Sequence, residues 1–477
     1  MKKYDVIVIG AGSAGLGSAG VAHTIGLKTL LIEKDADHFG GDCTNFGCVP
    51  SKALIHIAHH FHSAQQAEQF GLQSSGKADM KKVLAYIHAK QAIIRNTEDA
   101  PALRQHGQEV LIGHARFVND TTIEVDGERF SSKVFLLCTG SSPRTLRIEG
   151  MEHTRMYTNE SLFTECDHLP EHFIIIGGGP IGCEMAQAFQ RLGSQVYLIN
   201  RGDHLLRKEP KKVSKILQQR FKSEGIELYN NAEVVHFEKD RVVIKKDGRR
   251  ISLPQNAALM AIGRLANTKN LGLEEAGIQL TTEGKIKVDS YLRSSNSRAY
   301  VLGDAAGSYM FSHGAEKMVR QLWRNLLVPI FQKKNTLEDL SWVTFTDPQV
   351  AHFGYTEKEL TTRNLAYHRQ DQSFSHDDRA IIQEYTDAHM SLWLDQKHSI
   401  GKRIIRSGSM IAPQAGELIQ EMQLAKHASI PIQAITNRVY PYPVASRINQ
   451  KTLRGQMDQT YKPWKKKLAR LSFRMFN

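Results

Sequence analysis

The sequence has few cysteines and lacks the marks of several protein classes. It holds five cysteines in 477 residues, too few and too irregularly spaced for a disulfide scaffold or for the paired CxxC units of a zinc site. No apolar run approaches the roughly 20 residues needed to cross a bilayer. The N-terminal residues enter a glycine-rich turn without a small-residue cleavage site, so no signal peptide is predicted. We therefore expect a cytoplasmic protein, in which a disulfide serves catalysis rather than stability.

Acidic residues are in the minority and are missing from the C-terminal tail. The formal net charge is +13, and residues 461–477 carry six basic residues and no acidic one. Trp464, Leu468, Leu471 and Met475 recur there at helical spacing. The pattern suits either a helix lying on anionic lipid at the inner face of the membrane or a helix packed on its own dimer. No recognised nucleic-acid-binding module accompanies the charge, so no nucleic-acid partner is expected.

A glycine-rich turn near the N-terminus has the signature of a dinucleotide site. Residues 5–9 read as a buried strand, which Gly10, Gly12 and Gly15 follow at the start of an alanine-rich helical stretch. In such a site the three glycines permit the tight turn, the approach of a pyrophosphate and the packing of helix on strand. A second predicted strand, residues 29–32, leads to Glu33 and Lys34, and the acid is placed to bind ribose hydroxyls.

The same design recurs in the middle of the chain and predicts a second nucleotide. Residues 173–176 read as a strand, followed by a turn and a helix, and residues 195–199 form the next strand. This strand leads to Asn200 and Arg201, with Arg207 nearby, where a site selective for NADH usually carries an acid. The missing acid and the added arginines favour NADPH, whereas arginines that only face solvent would leave the choice open. The glycines of the turn are Gly177, Gly179 and Gly182.

Cys43 and Cys48 lie between these two units and are the only cysteines close enough in sequence to suggest a working pair. Residues five apart in a straight α-helix are separated by about 7.5 Å along its axis, beyond the usual Cα separation of a disulfide. A bridge therefore requires a distorted helix start, which Gly47 and Pro50 favour. A thiol at a helix N-terminus has a stabilised thiolate, the reactive form.

These motifs resemble the class I pyridine nucleotide-disulfide oxidoreductases, the family of dihydrolipoamide dehydrogenase, glutathione reductase and mercuric reductase. The resemblance runs from residue 4 to about residue 450, and residues 113–117 and 377–380 are most similar to the mercuric-reductase-like branch. It implies that Cys48 is the thiolate beside the flavin, Cys43 the thiol that meets the substrate, and Lys52 and Glu184 an ion pair near the flavin. Asp304 would bind the ribityl and phosphate region of FAD.

The motifs and the resemblance together assign two sets of cofactor-binding residues. For FAD they are Gly10, Gly12, Gly15, Glu33, Lys34, Gly41, Asp42, Ala115, Thr139, Gly140, Gly303 and Asp304, and for NADPH or NADH they are Gly177, Gly179, Gly182, Asn200, Arg201, Arg207 and Gly263.

The sequence departs from this family near its C-terminus. Dihydrolipoamide dehydrogenase and glutathione reductase carry an HxHPTxxE segment, whose histidine base is held by the glutamate. Here Tyr442 stands at the position of the base and Arg447 at that of the acid. Tyrosine, with an ordinary pKa near 10, is a poor base at pH 7. Mercuric reductases also have C-terminal cysteines, whereas this chain has none after Cys183.

The predicted fold class is α/β, with two Rossmann-type dinucleotide-binding domains and a C-terminal α+β dimerisation domain. The predicted ranges are 1–149 and 265–337 for the FAD domain, 150–264 for NAD(P)H, 338–460 for the interface of a homodimer, and 461–477 for the tail. We expect an NAD(P)H-dependent, FAD-containing disulfide oxidoreductase whose small-molecule or metal-ion acceptor is unidentified. The alternatives are a dihydrolipoamide dehydrogenase and a membrane-attached flavoprotein with a binding or redox-sensing role.

Four histidines follow the cysteine pair on a predicted helix: His56, His59, His60 and His62. His56 and His60 have the i, i+4 spacing of metal ligands, but no HExxH motif accompanies them. A solvated helix face is the prediction, and no metal site is assigned. His313 is expected to pack against the cofactor or the interface rather than act as a base.

Overall fold

The computed structural model describes residues 1–307, 310–336, 338–458 and 463–476. Within these residues the chain divides into two compact units. The first unit comprises Met1–Arg201 and Gly225–Leu337, and the second comprises Gly202–Glu224 and Glu338–Asn477.

The strands found in the described residues are numbered in chain order. They are β1 (Lys2–Ile9), β2 (Thr29–Glu33), β3 (Glu109–Ile112), β4 (Arg116–Asn119), β5 (Thr122–Val125), β6 (Glu128–Leu137), β7 (Ser141–Pro143), β8 (Arg155–Tyr157), β9 (His172–Ile176), β10 (Gln195–Asn200), β11 (Glu227–Asn230), β12 (Ala232–Phe237), β13 (Arg241–Lys246), β14 (Arg249–Pro254), β15 (Ala257–Met260), β16 (Arg264–Ala266), β17 (Ala299–Val301), β18 (Ser341–Thr344), β19 (Gln349–Gly354), β20 (Tyr367–Ser373), β21 (His389–Asp395) and β22 (Ile405–Ala412).

The α-helices of the same residues are numbered likewise. They are α1 (Ser13–Thr24), α2 (Gly41–Asn45), α3 (Cys48–Gln66), α4 (Met80–Arg95), α5 (Ala100–Gln105), α6 (Asn159–Glu165), α7 (Pro180–Leu192), α8 (Lys211–Ser223), α9 (Ser312–Leu327), α10 (Glu357–Thr362), α11 (Asp378–Ile382), α12 (Ala415–Leu418), α13 (Gln420–His427), α14 (Ile432–Thr436), α15 (Arg447–Asp458) and α16 (Pro463–Phe476).

The first unit is built on two largely parallel sheets. In one sheet the order is β3-β2-β1-β6-β5-β4, with β17 also paired to β6, and β1 runs parallel to both β2 and β6. In the other the order is β11-β10-β9-β15-β8, and β9 runs parallel to β10 and β15. Residues 6–9 of β1 are buried on both faces, which is why the strand is continuously apolar.

The second unit is built on an antiparallel sheet of order β18-β19-β22-β21-β20. At its centre the buried Glu209 carboxylate accepts hydrogen bonds from Trp342 Nε1 at 2.7 Å and Ser409 Oγ at 2.6 Å, and lies 3.2 Å from His352 Nδ1. A buried carboxylate needs such partners to offset the loss of its hydration. These bonds tie the segment 202–224 to the sheet.

The predicted fold class is confirmed, and the predicted strands before both glycine turns are present with ends shifted by up to three residues. The predicted domain boundaries stay predictions, and residues 337, 459 and 460, near two of them, lie outside the described residues. Among the residues described, no helix has both the length and the apolar character that a membrane crossing requires.

Candidate active site

The turn between β1 and α1 is closely packed around its first and third glycines. Gly10 has a φ of +101°, and a Cβ built on it would lie 2.4 Å from the Cys138 carbonyl oxygen. A Cβ on Gly15 would lie 1.8 Å from the Gly10 carbonyl oxygen. Gly12 caps α1 without any side-chain hydrogen bond. The first N–H groups of α1 therefore stay available to an anion at the helix N-terminus.

Glu33 closes the other side of this turn at the end of β2. Its Oε2 accepts a hydrogen bond from the Ala11 backbone N–H at 2.7 Å, and its Oε1 accepts one from the Lys34 N–H at 2.9 Å. The side chain is buried. The carboxylate is thus held beside the glycine turn, where the sequence predicts that it meets ribose hydroxyls.

The segment that carries the cysteines lies directly against the first turn. A Cβ on Gly41 would fall 2.7 Å from the Gly12 Cα, and the Gly40 N–H donates to the Ala11 carbonyl oxygen at 3.0 Å. Cys43 lies in α2, which ends at Asn45, and Cys48 is the first residue of α3. The helix is thus interrupted between the cysteines, with Gly47 in a non-helical conformation (φ −120°, ψ −106°). This is the distorted helix start that the sequence predicts.

The two thiols have opposite tendencies to ionise. A hydrogen bond from Cys43 lowers the pKa of Cys48 to about 6, with Ser312 and the charge of Lys52 acting in the same direction and burial opposing them. The bond to Cys48, followed by burial, raises the pKa of Cys43. Ser312 Oγ lies 3.7 Å from Cys48 Sγ. One proton of the reduced pair is therefore lost easily, from Cys48, and the other remains on Cys43.

The predicted Lys52–Glu184 ion pair is present. Lys52 lies on α3 one turn after Cys48, and its Nζ is 2.8 Å from Glu184 Oε2 on α7. The Glu184 side chain is 5% exposed and that of Lys52 is 35% exposed. Because a buried carboxylate is costly without a partner, this pair holds α3, which begins at Cys48, to α7, which follows the second glycine turn.

A second charged cluster lies beside the cysteine segment and centres on Arg264. Its Nη2 donates to Asp42 Oδ1 at 2.8 Å, and its Nε donates to Ser141 Oγ at 2.7 Å. Ser141 in turn donates to Asp304 Oδ2 at 2.5 Å, and Asn159 donates to Asp42 Oδ1 at 3.1 Å. Burial raises the pKa of Asp304. Asp42 and Asp304 are 262 residues apart in sequence. The cluster brings them together, because Asp42 bonds to Arg264 directly and Asp304 bonds to it through Ser141.

The remaining residues predicted to bind FAD lie at the carboxyl ends of strands or just beyond them. Thr139 follows β6, and its Oγ1 donates to the Asn267 carbonyl oxygen at 2.8 Å. Ala115 is buried immediately before β4, and Gly303 begins the short 3-10 helix that contains Asp304. Gly140 follows Thr139 with a φ of +70°. In open parallel sheets this end is where ligands bind.

The turn after β9 repeats the backbone of the first turn. Gly177 has a φ of +124°, and a Cβ built on it would lie 2.3 Å from the Ala261 carbonyl oxygen. A Cβ on Gly182 would lie 1.8 Å from the Gly177 carbonyl oxygen. Gly179 caps α7 without a side-chain hydrogen bond, so α7 also leaves its first N–H groups to an anion. Gly263 lies just before β16.

Beyond this second turn, β10 ends in an amide instead of an acid. Asn200 is buried, and its Nδ2 donates to Asn230 Oδ1 at 2.8 Å. Arg201 is exposed at the end of this strand in the first unit. Arg207 is also exposed but belongs to the second unit, so its predicted part in the nucleotide site rests on the sequence alone.

Tyr442 lies in the second unit, with its side chain 65% exposed. Its Oη donates a hydrogen bond to Asp378 Oδ2 at 3.1 Å, and the Arg447 guanidinium lies 5.4 Å from the centre of its ring. The bond to Asp378 raises the pKa of Tyr442. The phenol therefore keeps its proton at neutral pH and donates hydrogen bonds instead of accepting a proton.

The chain is similar to well-described protein families over nearly its whole length. Residues 4–318 match the family described as pyridine nucleotide-disulphide oxidoreductase, and residues 340–452 match its dimerisation domain. The chain belongs to this family. It is 30% identical to a mercuric reductase of Bacillus cereus, over 92% of this chain and 69% of that protein. It is also 30% identical to a dihydrolipoyl dehydrogenase of Thermus scotoductus, over 94% of this chain and 96% of that protein.

Solved structures share the fold. LpdA from Mycobacterium tuberculosis superposes with a TM-score of 0.83 at 25% identity, covering 95% of this chain and 99% of that one. The HOCl-induced flavoprotein disulfide reductase RclA from Escherichia coli, in its Cu(II) complex, has the same TM-score and coverage at 22% identity, a likeness that concerns the fold alone.

Members of this oxidoreductase family are enzymes that use FAD and NAD(P)H, and the matched dimerisation domain supports a homodimer. The residues present fit both cofactors. Two helix N-termini, those of α1 and α7, begin at a glycine without a side-chain cap, so the first N–H groups of each helix can bind the pyrophosphate of a dinucleotide.

Sequence reasoning missed several neighbours of the site. Arg264 follows Gly263 directly in the sequence, yet the motifs assign a cofactor-binding role to Gly263 alone. Ser312 carries no motif, and 264 residues separate it from Cys48. Asn159 caps no helix and belongs to no motif, yet it contacts Asp42. His313 is exposed, with its ring stacked on that of Phe311 at 5.3 Å between centroids.

Proposed function

We propose that this flavoprotein passes two electrons from NAD(P)H to a Cys43–Cys48 disulfide and then to a separate acceptor. The observation that carries the proposal is the pair itself: Cys48 begins α3, and its pKa is lowered to about 6, with Cys43 as the largest cause. A thiol that ionises this readily is a good leaving group and a ready nucleophile.

The reaction balances in two halves. In the first, NAD(P)H and one proton reduce the disulfide to two thiols and give NAD(P)⁺, and the bound FAD supplies the route between hydride and disulfide. In the second, the dithiol gives two electrons to the acceptor and closes again to the disulfide, and its two protons pass to the reduced acceptor or to water. Cys48 holds the thiolate, Cys43 keeps its proton until the acceptor is attacked, and Lys52 stabilises the negative charge near Cys48.

Tyr442 and Arg447 bear on the choice of acceptor. A phenol whose pKa is raised by Asp378 does not remove a proton from a thiol at neutral pH. We infer that the acceptor is one whose reduction needs no base at this position. A metal ion, a quinone or a reactive disulfide with a good leaving group meets this condition. Dihydrolipoamide dehydrogenase is the second candidate, because relatives with that name cover almost the whole chain, and it predicts rapid oxidation of dihydrolipoamide.

We further propose that NADPH is preferred to NADH. Asn200 offers a buried amide at the end of β10, and the exposed Arg201 follows it. An amide and a guanidinium accommodate a 2′-phosphate, which a carboxylate at this position would repel.

The proposed electron path is tested by an anaerobic titration of the FAD-loaded protein with NADPH. The wild type should develop a long-wavelength absorbance band from the Cys48 thiolate beside the flavin, and Cys48→Ser should not. Cys43→Ser should show the band at rest above about pH 6, because it leaves Cys48 without a disulfide partner. Cys166→Ala, at a buried cysteine outside the site, serves as the matched control. Reduction of acceptors at undiminished rate by Cys48→Ser would refute the path.

A membrane contact through α16 is a separate proposal. Trp464, Leu468, Leu471 and Met475 share one face of this helix and are each more than half exposed, and the basic residues of the helix suit anionic headgroups. Residues 461, 462 and 477 of the predicted tail lie outside the described residues. Vesicles of phosphatidylglycerol should carry the wild type on flotation, and vesicles of phosphatidylcholine should not. Packing on the dimer is favoured instead if Leu468→Ser with Leu471→Ser floats as well as the wild type.

A further inference from the structure

The helix that begins at Cys48 carries a pair of histidines that the proposed reaction does not use. His56 and His60 lie two and three turns after Cys48 on α3, and both are exposed. Their Nε2 atoms are 3.2 Å apart, and their rings meet edge to face with centroids 4.5 Å apart. The i, i+4 spacing thus places two imidazole nitrogens side by side on one face of the helix.

That separation matches the distance between two ligands of one metal ion. Histidine nitrogens bind Zn²⁺ at about 2.0–2.1 Å, so two of them lie about 2.9 Å apart at a right angle and about 3.4 Å apart at the tetrahedral angle. The observed 3.2 Å lies between these values. An imidazole pair on a helix also starts with its backbone already ordered, which removes part of the entropy cost of binding.

The groups described around this exposed histidine pair are the Tyr86 ring and two lysines, Lys52 and Lys90. Tyr86 from α4 stacks on the His56 ring at 6.3 Å, and Lys90 Nζ lies 5.0 Å from the centre of the Tyr86 ring. Lys52, one turn before His56, is paired with Glu184. Within the described residues, no group of three or more metal-binding side chains is found, so water would complete the coordination.

We propose that His56 and His60 form a binding site for a late first-row transition-metal ion, Cu²⁺, Ni²⁺ or Zn²⁺, held by their two Nε2 atoms. Neutral imidazole suits these ions better than Mg²⁺ or Ca²⁺, which prefer oxygen ligands. Because the site is exposed and uses two protein ligands, the ion exchanges readily and is stripped by stronger chelators. The inference does not depend on the identity of the electron acceptor.

The test is a calorimetric titration of the FAD-loaded, air-oxidised protein with NiCl₂, since oxidation to the disulfide removes the thiolates as competing ligands. His56→Gln and His60→Gln should each weaken binding roughly 100-fold, because each leaves a single imidazole where two acted together. His59→Gln, on the same helix but rotated away from the pair, should bind as the wild type does. Flavin content and helical circular dichroism report that each variant is folded.

A second readout counts the ligands directly. One equivalent of CuCl₂ added to the oxidised protein should give an electron paramagnetic resonance spectrum with coupling to two imidazole nitrogens, which either single variant reduces to one. The proposal is overturned if both variants bind Ni²⁺ as tightly as the wild type does. In that case the 3.2 Å contact is an imidazole–imidazole hydrogen bond without a metal role.

Discussion

The two glycine turns of the first unit are nearly the same backbone used twice. In each, a Cβ on the first glycine would strike the carbonyl of a residue that follows the neighbouring strand, at 2.4 Å for Gly10 and 2.3 Å for Gly177. In each, a Cβ on the third glycine would lie 1.8 Å from the first glycine's carbonyl oxygen. What is shared is the geometry that brings helix N–H groups to a pyrophosphate.

The two turns differ in what surrounds them. The Gly40–Gly41 segment packs onto Gly12, whereas a Cβ on Gly179 would meet no atom within 4 Å. The strand after the first turn ends in Glu33, and the strand after the second ends in Asn200. The first turn is therefore covered by the redox segment and suits a resident cofactor, and the second is open and suits a nucleotide that exchanges in each cycle.

The largest effect should come from the third glycines. Gly15→Ala and Gly182→Ala each force the helix away from the turn, at a cost of about 3 kcal/mol or more, or over 100-fold in affinity. We expect Gly15→Ala to purify without flavin and Gly182→Ala to keep its flavin but lose oxidation of NAD(P)H. The flavin absorbance divided by the protein concentration measures flavin content, and steady-state kinetics measure the oxidation of NAD(P)H. Loss of flavin from Gly182→Ala would show that the two turns are not independent.

The redox segment that covers the first turn should also set a pH dependence. Because the pKa of Cys48 is lowered to about 6, its thiolate is present above pH 6 and is lost as the pH falls through that value. In the reduced Cys43→Ala variant, which lacks the hydrogen bond from Cys43, the midpoint should move upward toward the ordinary thiol value of about 8.5. Rates of alkylation by iodoacetamide between pH 4 and 10 measure both. A wild-type midpoint near 8.5 would contradict the prediction.

The Lys52–Glu184 ion pair joins the helix that begins at Cys48 to the helix of the second turn, and changing Lys52 should affect the pKa of Cys48 more than changing Glu184. Lys52→Met removes a positive charge near Cys48 and breaks the ion pair with the buried Glu184 carboxylate, so the pKa of Cys48 should rise and unfolding should become easier by about 1–3 kcal/mol. Glu184→Gln keeps the positive charge, so the pKa of Cys48 should stay low. Thiolate absorbance as a function of pH measures the pKa of Cys48, and urea denaturation measures the free energy of unfolding. Equal pKa changes in both variants would mean that Lys52 acts only through the pair.

The smallest expected effect is on the preference for NADPH over NADH, and it comes from Arg201, which follows β10. Arg201→Ala should lower the ratio of kcat/KM for NADPH over NADH by about fivefold, close to 1 kcal/mol for a lost charge-assisted bond at an exposed site. Arg249→Ala, an exposed arginine in β14, should leave the ratio unchanged. If both variants lower this ratio equally, the cause is the loss of overall positive charge and not a contact made by Arg201.

Much of the site was predictable because its determinants are local. A strand, three glycines and a helix follow one another within residues 2–24, and the backbone geometry excludes a Cβ at the first and third of those glycines. The Lys52–Glu184 pair was predictable only through the family resemblance, since nothing in the spacing of residues 132 apart indicates a contact. Arg264 and Ser312 were missed for the same reason.

The sequence by itself determined the two glycine turns and the cysteine pair at a helix start, because each follows from residue type and short-range spacing. The position of Tyr442 in place of a histidine base came from the resemblance to the family. The tertiary structure alone decided how these parts act on one another. The pKa of Cys48 is lowered to about 6 by Cys43, Ser312 and the charge of Lys52. The pKa of Tyr442 is raised because Asp378, 64 residues away, accepts its hydrogen bond. A pKa is set by the groups that surround an atom in space, and chain order does not encode those directly.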